Sequence, residues 1–429
     1  MLRNSVVSLI AWIALFACAA VTWGAEDKPR TKVEILQPEV NETLTGAVDV
    51  RVKITAVPAG QFPSSVYAGL GGPPWTKMER IEETDQWRCC LDSTMVPNRG
   101  HVLMVKTTDK RANAAATVKT DNPLKCFFAD LHSHTSYSDG TLIPAAAHDY
   151  ARNVAKLDVF SLTDHLENVN DLEWSDTREV AQKANDEGEF VVIPGLEWTK
   201  GWGHLNIFEP KTRHWPNDPQ EFYQAIAKAD VVAKFNHPGD GTKSHGGLAY
   251  SEVGDRAVQM MEVRRPDEEQ AFLRALKLGW HIAPDGSDDT HSPNWGSRFA
   301  WSGILAPGLS KRNIWHAMKN RHLFSTLDRN CILLFHVNGA LMGSIVKEPV
   351  EKVEIVAAVD EADADDTIAK IELFEDGEVV QTDEPNADSR RWETTCSPKP
   401  GDHYYFVKVT QADGQMLWSA PVWVTVAGQ

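Results

Sequence analysis

The alternation of apolar and polar positions divides the chain into three stretches. From residue 31 to about 120, short runs such as KVEILQP and VDVRVKITAV alternate apolar and polar residues, which predicts half-buried β-strands. We therefore predict an immunoglobulin-like β-sandwich over residues 30–122, followed by the linker Asp121-Asn122-Pro123. The stretch carries no cluster of catalytic residue types, which is typical of a spacer or of a module that faces carbohydrate or protein.

The pattern changes at residue 124, where apolar strand-like runs begin to alternate with amphipathic helical patterns. The candidate strands end at Asp130, Thr163, Gly195, Phe208, Phe235, Val263 and Pro284. The candidate helices cover Ile143 to Lys156, Asp176 to Glu187, Pro219 to Lys228, Glu268 to Leu278 and Lys311 to Arg321. This alternation predicts βα units and a largely parallel sheet, and about seven such repeats around one axis would close a barrel. We assign the unit to residues 124–329.

The last stretch returns to the strand pattern. Runs such as CILLFHV, KVEIVAAV and HYYFVKVTQADG predict a C-terminal β domain of sandwich type over residues 330–429. Its acidic insert, EADADD, lacks the Gly and the spaced Glu of a regular calcium loop. We therefore expect the insert to be solvated.

Residue types that bind metals cluster where the strands of the middle stretch end. In DLHSHTSYSDG, His132 and His134 stand two positions apart and project from the same face, with Asp139 on the following loop. The later clusters are FSLTDHLE with His165, VVIPGLEW with Glu197, GHLNIF with His204, VVAKFNHPG with His237 and APDGSDDTHSP with Asp289 and His291.

Each of these clusters alone has a simpler explanation, because exposed turns often carry such residues. Together they indicate a metal site, since barrel enzymes place their chemistry at the carboxyl ends of strands. Imidazoles and carboxylates are the ligands that zinc, manganese and iron accept. In the last cluster Asp288 and Asp289 are adjacent, and Asp289 is preferred because it keeps the Asp-x-His spacing.

Composition limits the class of partner. The chain has 429 residues, of which 42% are hydrophobic and 24% charged, as in an ordinary soluble globular protein. Its net charge of -17 leaves no basic excess to neutralise phosphates, so we expect no nucleic-acid partner. The sequence leaves the oligomeric state open.

Residues 1–25 have the pattern of a secretory signal. Arg3 supplies a positive start, Val6 to Val21 form an apolar run, and small residues at Gly24 and Ala25 follow. The run is too short for a stable membrane span. We predict export to the periplasm or the exterior. Lipoprotein anchoring at Cys18 is the alternative.

The cysteines do not form a zinc knuckle pattern. Five follow Cys18, an odd number, and none belongs to a CxxC pair; they are Cys89, Cys90, Cys126, Cys331 and Cys396. Export would permit a disulfide, and the pairing stays open.

The ordered motifs resemble those of a known family. Asp130-Leu-His132-x-His134-Thr, Thr163-Asp164-His165, Pro194-Gly195-x-Glu197, Asn236-His237-Pro238 and Ser-Asp-x-x-His291 are similar to the motifs of the PHP (polymerase and histidinol phosphatase) superfamily. GHLNIF and the β-rich C-terminal segment resemble its CehA/McbA-like metallohydrolase branch. The resemblance covers residues 124–328 and implies a distorted (β/α)7 barrel.

The resemblance also implies two or three bound metals, which we expect to be zinc, manganese or iron. His132, His134, Glu197 and Asp289 would hold the first, and Glu197, His204 and His237 the second. Asp139, His165 and His291 would hold a third, although some family members have His at the position of Asp139. Asp130 and Asp164 would orient imidazoles from behind. Among these residues we expect Glu197, Asp289 and His291 to be catalytic.

These features predict an exported metal-dependent hydrolase. A bound metal lowers the pKa of water from about 15.7 toward about 7, which gives a hydroxide nucleophile. The family implies a phosphoesterase first, and a carbamate, amide or ester hydrolase as the alternative, so the partner is a small-molecule phosphoester, ester or amide. An arginine at the site, such as Arg264, Arg265 or Arg298, would favour a phosphate. From another class, the protein would bind an extracellular polymer beside a vestigial barrel.

Overall fold

The chain is a multi-domain, β-rich fold. The computed structural model describes residues 31–56, 58–73, 75–108 and 112–428. The predicted export signal and Cys18 lie outside these residues. Within the described ranges, no helix combines the length and the apolar character that a membrane crossing requires. The cysteines of the described ranges are free.

The first eight strands form a sheet with a core of its own. They are β1 (Lys32–Gln37), β2 (Thr43–Leu44), β3 (Ala47–Thr55), β4 (Val66–Leu70), β5 (Thr76–Arg80), β6 (Gln86–Asp92), β7 (Gly100–Thr107) and β8 (Asn113–Thr120). Their order is β1-β3-β6-β5-β4-β7-β8-β2, and only the β2–β8 pair is parallel among the pairs described. The alternation along β3 buries Val50, Val52 and Ile54 completely beside Trp87. The immunoglobulin-type assignment stays a prediction.

The middle stretch carries the helices and two groups of strands. The strands are β9 (Lys125–Asp130), β10 (Val159–Phe160), β11 (Val191–Val192), β12 (Gly195–Lys200), β13 (Gly203–Phe208), β14 (Val232–Phe235), β15 (Val258–Glu262), β16 (Ala283–Asp285), β17 (Trp301–Ala306) and β18 (Leu323–Thr326). The helices are α1 (Pro144–Asn153), α2 (Asp171–Ala184), α3 (Pro219–Ala229), α4 (Glu252–Asp255), α5 (Pro266–Lys277) and α6 (Lys311–Lys319).

Local sequence signals account for the helix starts. Asn170 caps α2 through a complete capping box with Glu173. Asp218 caps α3 and Pro219 occupies its first turn. Ser310 caps α6 by accepting a hydrogen bond from the backbone N–H of Asn313. These caps set the residue at which each of the three helices begins.

A complete (β/α)7 barrel, as predicted, is not evident. Strands β12 to β16 form one sheet, and β11, β10, β9, β17 and β18 belong to another. Strands β12 and β13 form an antiparallel hairpin, and β17 runs antiparallel to both β9 and β18. No helix lies between β12 and β13, so the βα alternation breaks there. Helix α6 does lie between β17 and β18, but these two strands are antiparallel instead of parallel. Parallel pairing remains in β9–β10–β11 and β14–β15–β16.

The C-terminal strands continue the middle sheet. They are β19 (Ile332–Val337), β20 (Ala340–Leu341), β21 (Val353–Asp360), β22 (Ile368–Glu375), β23 (Glu378–Asp383), β24 (Ser389–Cys396), β25 (Gly401–Gln411), β26 (Met416–Ser419) and β27 (Val422–Val426). Strand β26 pairs antiparallel with β18, and the sheet runs on through β25, β22 and β23. Strands β20, β19, β21 and β24 form a separate four-stranded sheet. The predicted domain boundary at residue 330 therefore crosses a continuous sheet.

Two isolated parallel bridges join the middle strands at their carboxyl ends. Ser133 pairs with Thr290, and His165 pairs with Glu197. They bring the loops after β9, β10 and β16 together with strand β12. These are the segments that carry the predicted metal ligands.

Candidate metal centre

The segment after β9 places two imidazoles side by side. The backbone N–H of His134 donates to the carbonyl of Thr290 at 2.9 Å, which keeps the segment extended. His132 and His134 then point the same way, with their Nε2 atoms 3.1 Å apart. Both residues are fully buried. The following turn returns close to His134, because a Cβ on Gly140 would lie 2.6 Å from the carbonyl carbon of His134.

The carboxylate of Glu197 lies at the centre of the imidazoles. Its Oε1 lies 3.3 Å from each of three ring nitrogens, which belong to His132, His204 and His237. Its Oε2 lies 2.8 Å from His165 Nδ1 and 3.7 Å from His134 Nε2. The side chain is buried, at the start of β12. One carboxylate therefore faces five histidines, with a different set at each oxygen.

The remaining predicted residues complete two sides of this cluster. Asp289 Oδ1 lies 3.3 Å from His132 Nε2 and 3.1 Å from His134 Nε2. Asp139 Oδ1 lies 3.4 Å from His165 Nε2 and 3.2 Å from His291 Nε2. The Asp139 side chain is 56% exposed, so the cluster opens to solvent on this side.

Backbone conformation at two of these residues is unusual. His237 has φ of 29° and Asp289 has φ of 54°, in the region that L-residues rarely adopt. Residues held in such conformations collect at functional sites, where the surrounding structure stabilises them. The fold thus holds these two residues in strained backbone conformations that direct their side chains toward the other residues of the cluster.

Electrostatics favour a cation in the centre. Burial opposes the charged form of His132, but Asp289, Glu197 and Glu262 outweigh it and raise the pKa of the imidazole to about 10. Burial likewise opposes ionisation of Glu197, yet His132, His165 and His204 lower the pKa of its carboxyl well below the usual range. Burial lowers the pKa of His134, which stands next to His132. The carboxylates thus favour positive charge in the cluster. His132 and His134 lie too close together for both imidazoles to be protonated.

The donor set fits divalent transition metals. Glu197 Oε2 and His204 Nδ1 are buried and have no hydrogen-bond partner, although both face other ligand-type atoms. Among the groups of donor atoms that lie within 4.8 Å of one another and could hold metal ions, four belong to this cluster. They are His132, His134 and Glu197; Glu197, His204 and His237; His132, His237 and Asp289; and His134, Asp139, His165 and His291. Unpartnered nitrogens and carboxylate oxygens that converge in this way are what such ions require.

All nine predicted residues therefore meet in one place. The groups overlap the three sets expected from the sequence, with two differences. His134 also faces the outer set around Asp139, and His237 also faces His132 and Asp289. The role of the nine residues as ligands stays a prediction.

Comparison with known proteins gives distant likenesses. No protein family model matches the chain. A protein of Chlamydia muridarum described as uncharacterized is 24% identical over 135 residues, which cover 28% of this chain and 22% of that protein. A similarly described protein of Chlamydia pneumoniae is 26% identical over 135 residues, with the same coverage. The chain thus spans about a fifth of the length of these curated relatives.

One solved structure is similar to about two thirds of this chain. It is a two-domain protein from Bacteroides vulgatus that contains a predicted PHP-like metal-dependent phosphoesterase. It is 18% identical, covers 66% of this chain and 90% of its own, and has a TM-score of 0.41. That score is too low to establish a shared activity.

A buried carboxylate behind the cluster was not anticipated from the sequence. Glu262, the last residue of β15, accepts a hydrogen bond from His132 Nδ1 at 2.6 Å and one from the backbone N–H of His237 at 2.5 Å. It is fully buried and also pairs with Lys234 at 3.0 Å and Arg264 at 3.1 Å. Burial opposes its ionisation, but these cations and His132 lower the pKa of its carboxyl well below the usual range. Glu262 thus orients the side chain of one predicted ligand, His132, and the backbone of another, His237.

Asn236 and Lys234 were also not assigned roles from the sequence. Asn236 Nδ2 donates to Glu197 Oε1 at 2.7 Å and to Asn206 Oδ1 at 2.8 Å, so it fixes the central carboxylate from the side. Lys234 Nζ bridges Glu262 and Asp285 with no exposed surface. A lysine inside the apolar run VVAKF was the available signal, because a fully buried ammonium needs carboxylate partners.

Asp130 and Asp164, which we expected to orient imidazoles, form no direct side-chain hydrogen bond with an imidazole in the described part of the chain. Asp164 reaches His134 only through Ser138, whose Oγ lies 3.3 Å from His134 Nδ1. Asp164 accepts from the backbone N–H and the hydroxyl of Thr135, both at 2.7 Å, and from Ser138 Oγ at 2.6 Å. Asp130 accepts from the backbone N–H of His132 and from Ser133 Oγ. Both carboxylates therefore hold the loop backbone and hydroxyls rather than imidazoles. They act here as turn-forming acceptors, a role that Asp also fills in isolated loops.

The two adjacent aspartates of the last cluster have separate environments. Asp288 accepts from the backbone N–H groups of Arg298, Phe299 and Ala300. Asp289 faces His132 and His134 instead. The spacing argument for Asp289 therefore agrees with the geometry.

The three arginines differ in what they contact. Arg264 is buried and holds Glu262, Glu268 and the carbonyl of Ser287. Arg265 pairs with Asp267 and Glu268. Arg298 is exposed, and its guanidinium forms no ion pair within 4 Å of a carboxylate in the described residues; its Nη1 donates to the carbonyl of Asp288 at 3.3 Å. Arg298 lies on the same loop as Asp289 and His291.

Proposed function

We propose that the protein is a metal-dependent hydrolase, and most specifically a phosphoesterase. One observation carries the proposal: the buried carboxylate of Glu197 faces five imidazoles, three at one oxygen and two at the other. A carboxylate in that position is suited to bridge two metal ions. Bound divalent metals supply Lewis acidity and lower the pKa of a coordinated water.

The chain's own residues hold and orient the donor atoms. His132, His134, Glu197 and Asp289 would bind the first metal, and Glu197, His204 and His237 the second. Glu262 accepts the Nδ1 proton of His132, which in the neutral ring leaves the lone pair on Nε2 facing the cluster. Asn236 fixes Glu197 through its amide.

Asp139, His165 and His291 would bind a third metal at the open side of the cluster. His165 and His291 are partly exposed, and Asp139 is more so. Carboxylate exposure lets water compete for the ligand position, so this site should bind more weakly than the buried pair. Its ion should therefore be the first that a chelator removes.

Two features support a phosphoester substrate. Two or three divalent cations bound in this cluster would match the charge of a phosphate group, which two metals can grip at both the attacking and the leaving oxygen. Arg298 lies on the adjoining loop with its guanidinium free of carboxylate partners among the described residues, so it can pair with phosphate oxygens in bidentate fashion. We place the protein in the CehA/McbA-like branch of the PHP superfamily on the ordered motifs, and that branch includes carbamate and amide hydrolysis.

Substitution of Glu197 by Gln tests the proposal. The amide keeps the size of the side chain but removes the anionic ligand from both inner sites. One metal should then leave, and turnover should fall by at least about 100-fold. Metal content, turnover and melting temperature are measured for the variant beside the wild type.

Asp139→Asn is the matched control for this experiment. It removes one carboxylate charge at the open side and leaves both oxygens of Glu197 untouched. We expect a smaller loss of turnover and no loss of the two inner metals. Full metal content and near-normal turnover in the Glu197→Gln variant would contradict the bridged site and the catalytic assignment together.

A substrate panel separates the two hydrolase classes. It contains nitrophenyl phosphate mono- and diesters, a nitrophenyl carbamate, an anilide and a carboxylic ester, each assayed with zinc, manganese or iron. The proposal predicts the largest kcat/KM for a phosphoester. A preference for the carbamate or anilide that disappears in Glu197→Gln would keep the metal hydrolase and replace the substrate class.

A further inference from the structure

Three carboxylates meet where the middle strands join the C-terminal β domain. Asp328 follows β18, Glu361 follows β21, and Asp366 ends the acidic insert before β22. One oxygen of each lies near the side-chain Nε2 of Gln411, the last residue of β25. The distances are 2.8 Å from Asp328 Oδ2, 2.5 Å from Glu361 Oε2 and 3.0 Å from Asp366 Oδ2.

The other oxygen of each carboxylate already has a partner. Asp328 Oδ1 accepts from the backbone N–H of Asn330 at 3.0 Å, and Glu361 Oε1 accepts from that of Asp363 at 2.7 Å. Asp366 Oδ1 accepts from the backbone N–H of Thr367 at 2.8 Å. The loop contacts therefore use one oxygen of each group and leave three oxygens pointing at one spot. An amide nitrogen carries two hydrogens and cannot satisfy three acceptors.

The charge at this spot is unbalanced. Glu361 and Asp328 are buried, and Asp366 is half-buried. In the part of the chain that the structure describes, no Lys, Arg or His forms an ion pair with any of the three carboxylates. The buried carboxylates Glu262 and Asp285, by contrast, have a cationic partner, because the ammonium group of Lys234 lies between them. Two buried carboxylates and a half-buried one, all ionised and without a cation, would be unfavourable.

The side-chain oxygen of Gln411 provides an independent observation. Gln411 is 1% exposed, and its Oε1 is buried without a hydrogen-bond partner. Rotating the amide by 180° exchanges nitrogen and oxygen, which have nearly the same shape. The orphaned oxygen would then join three carboxylate oxygens around one point. Four oxygens that converge in this way repel one another unless a positive charge, either a cation or a shared proton, lies between them.

We propose that Asp328, Glu361, Asp366 and Gln411 form a binding site for a calcium ion. The donors are all oxygens, which suit a hard cation such as Ca²⁺ better than the nitrogen-preferring metals of the histidine cluster. Magnesium demands a stricter octahedral geometry and gives up its water reluctantly, so it fits this irregular set less well. The site differs from the regular calcium loop because its ligands come from three separate segments.

The position of the site gives it a structural role. Asp328 lies in the link between β18 and β19, while Gln411 belongs to the sheet that β26 extends to β18. A bound ion would therefore connect three segments, namely the loop between β18 and β19, the acidic insert and β25. Calcium should therefore stabilise the junction without taking part in hydrolysis. This inference is independent of the proposed hydrolase activity.

Calcium binding to the full chain tests the proposal. The protein is treated with a calcium-selective chelator, transferred to chelator-free buffer and titrated with CaCl₂ by calorimetry, and its melting temperature is followed. We expect about one calcium per chain and a rise in melting temperature of at least about 3 °C. Magnesium at the same concentration should give a clearly smaller rise.

Variants locate the ion. Asp366→Asn and Glu361→Gln keep the size of the side chains and should each weaken calcium affinity at least about 10-fold. Asp365→Asn lies in the same insert, is exposed, and should keep the wild-type affinity. The transition-metal content of the histidine cluster should be the same in all three variants.

Several outcomes would overturn the calcium site. One is the absence of calcium uptake by the wild type, and another is equal uptake by wild type and both inner variants. A third is a melting temperature of the wild type that does not change when calcium is added. If Asp366→Asn fails to fold, Gln411→Glu replaces it. Its fourth carboxylate should make the melting temperature depend more steeply on calcium, and an unchanged dependence would contradict the site.

Discussion

At the residue scale, the central question is what fixes the direction of each imidazole. His132 has no freedom, because Glu262 accepts from its Nδ1 at 2.6 Å while Nε2 faces Glu197 and Asp289. The same carboxylate holds the backbone N–H of His237. One buried side chain thus positions two ligand residues that lie 105 positions apart along the chain, His132 and His237.

Glu262→Gln should weaken the metal site without removing a ligand. The amide offers His132 a neutral acceptor in place of a carboxylate, so the ring becomes a weaker donor toward a metal. We expect metal affinity and turnover to fall about 10- to 100-fold. Metal affinity is measured by competition with a coloured chelator, which reports on the site without requiring turnover.

Asp285→Asn provides the control for this prediction. Asp285 shares Lys234 with Glu262, and its carboxylate touches no imidazole among the described residues. Both substitutions disturb the buried ion pairs and should lower the melting temperature. Only Glu262→Gln should change metal affinity; equal losses of affinity in both would make Glu262 a stability residue alone.

The sequence predicted the strand-end ligands because their spacing is local. His132 and His134 share a face through the two-residue repeat of a strand, and Asp289 follows from its spacing to His291. Glu262 and Lys234 could not be found in that way. Each stands in an apolar run, and their partners come from other strands, so only the folded structure shows why a charge is there.

At the element scale, helix positions could be predicted better than sheet topology. The predicted helix 219–228 is observed as Pro219–Ala229, and 311–321 as Lys311–Lys319. Period and capping residues are local signals and fix such bounds to within a few residues. Strand direction depends on which strands meet in space. The hairpin of β12 and β13 and the antiparallel β17 therefore broke the predicted barrel.

Helix α1 contains a buried histidine that should make the fold sensitive to acid. His148 packs edge-on against Phe160, at 5.8 Å between ring centroids, and neither ring nitrogen has a hydrogen-bond partner. Burial lowers the pKa of its imidazole from 6.5 to about 4. The unfolded chain therefore binds a proton that the folded chain does not. The stability contribution is complete above pH 6.5 and is lost as the pH falls toward 4.

His148→Phe should reduce this acid sensitivity. Phenylalanine fills the site without a titrating group, so the loss of stability between pH 6.5 and 4 should shrink by up to about 3 kcal/mol. Calorimetric melting across this pH range measures the effect. His214→Gln, at an exposed position where the imidazole lies 3.4 Å from the exposed carboxylate of Asp171, should change the pH dependence far less than His148→Phe. An unaltered slope in His148→Phe would show that His148 is accessible to protons in the folded state.

At the scale of the whole molecule, hydrogen bonds and strand pairing connect the three stretches of the chain. Arg312, in α6, donates from Nη1 to the carbonyl of Leu70 at 3.1 Å and from Nη2 to that of Gly71 at 3.0 Å, which ties the first β unit to the middle stretch. Strand pairing between β18 and β26 ties the middle stretch to the last. The change in apolar and polar alternation that divided the sequence into three stretches could not reveal that two of them share a sheet.

Export is a proposal at this scale. Arg3 and the apolar run from Val6 to Val21 indicate that the first 25 residues are removed during secretion. N-terminal sequencing of protein recovered from a secreting bacterial host should find a chain that begins near residue 25. Recovery from the cytoplasm with Met1 intact would contradict export.

The central claim is that the histidine cluster holds metals, and elemental analysis tests it most directly. The protein is purified without chelator, and its zinc, manganese and iron are measured per chain by mass spectrometry. Six imidazoles and three carboxylates in overlapping groups predict about two to three equivalents. Less than about half an equivalent, also after reconstitution with each metal, would contradict the metal site and the hydrolase proposed from it.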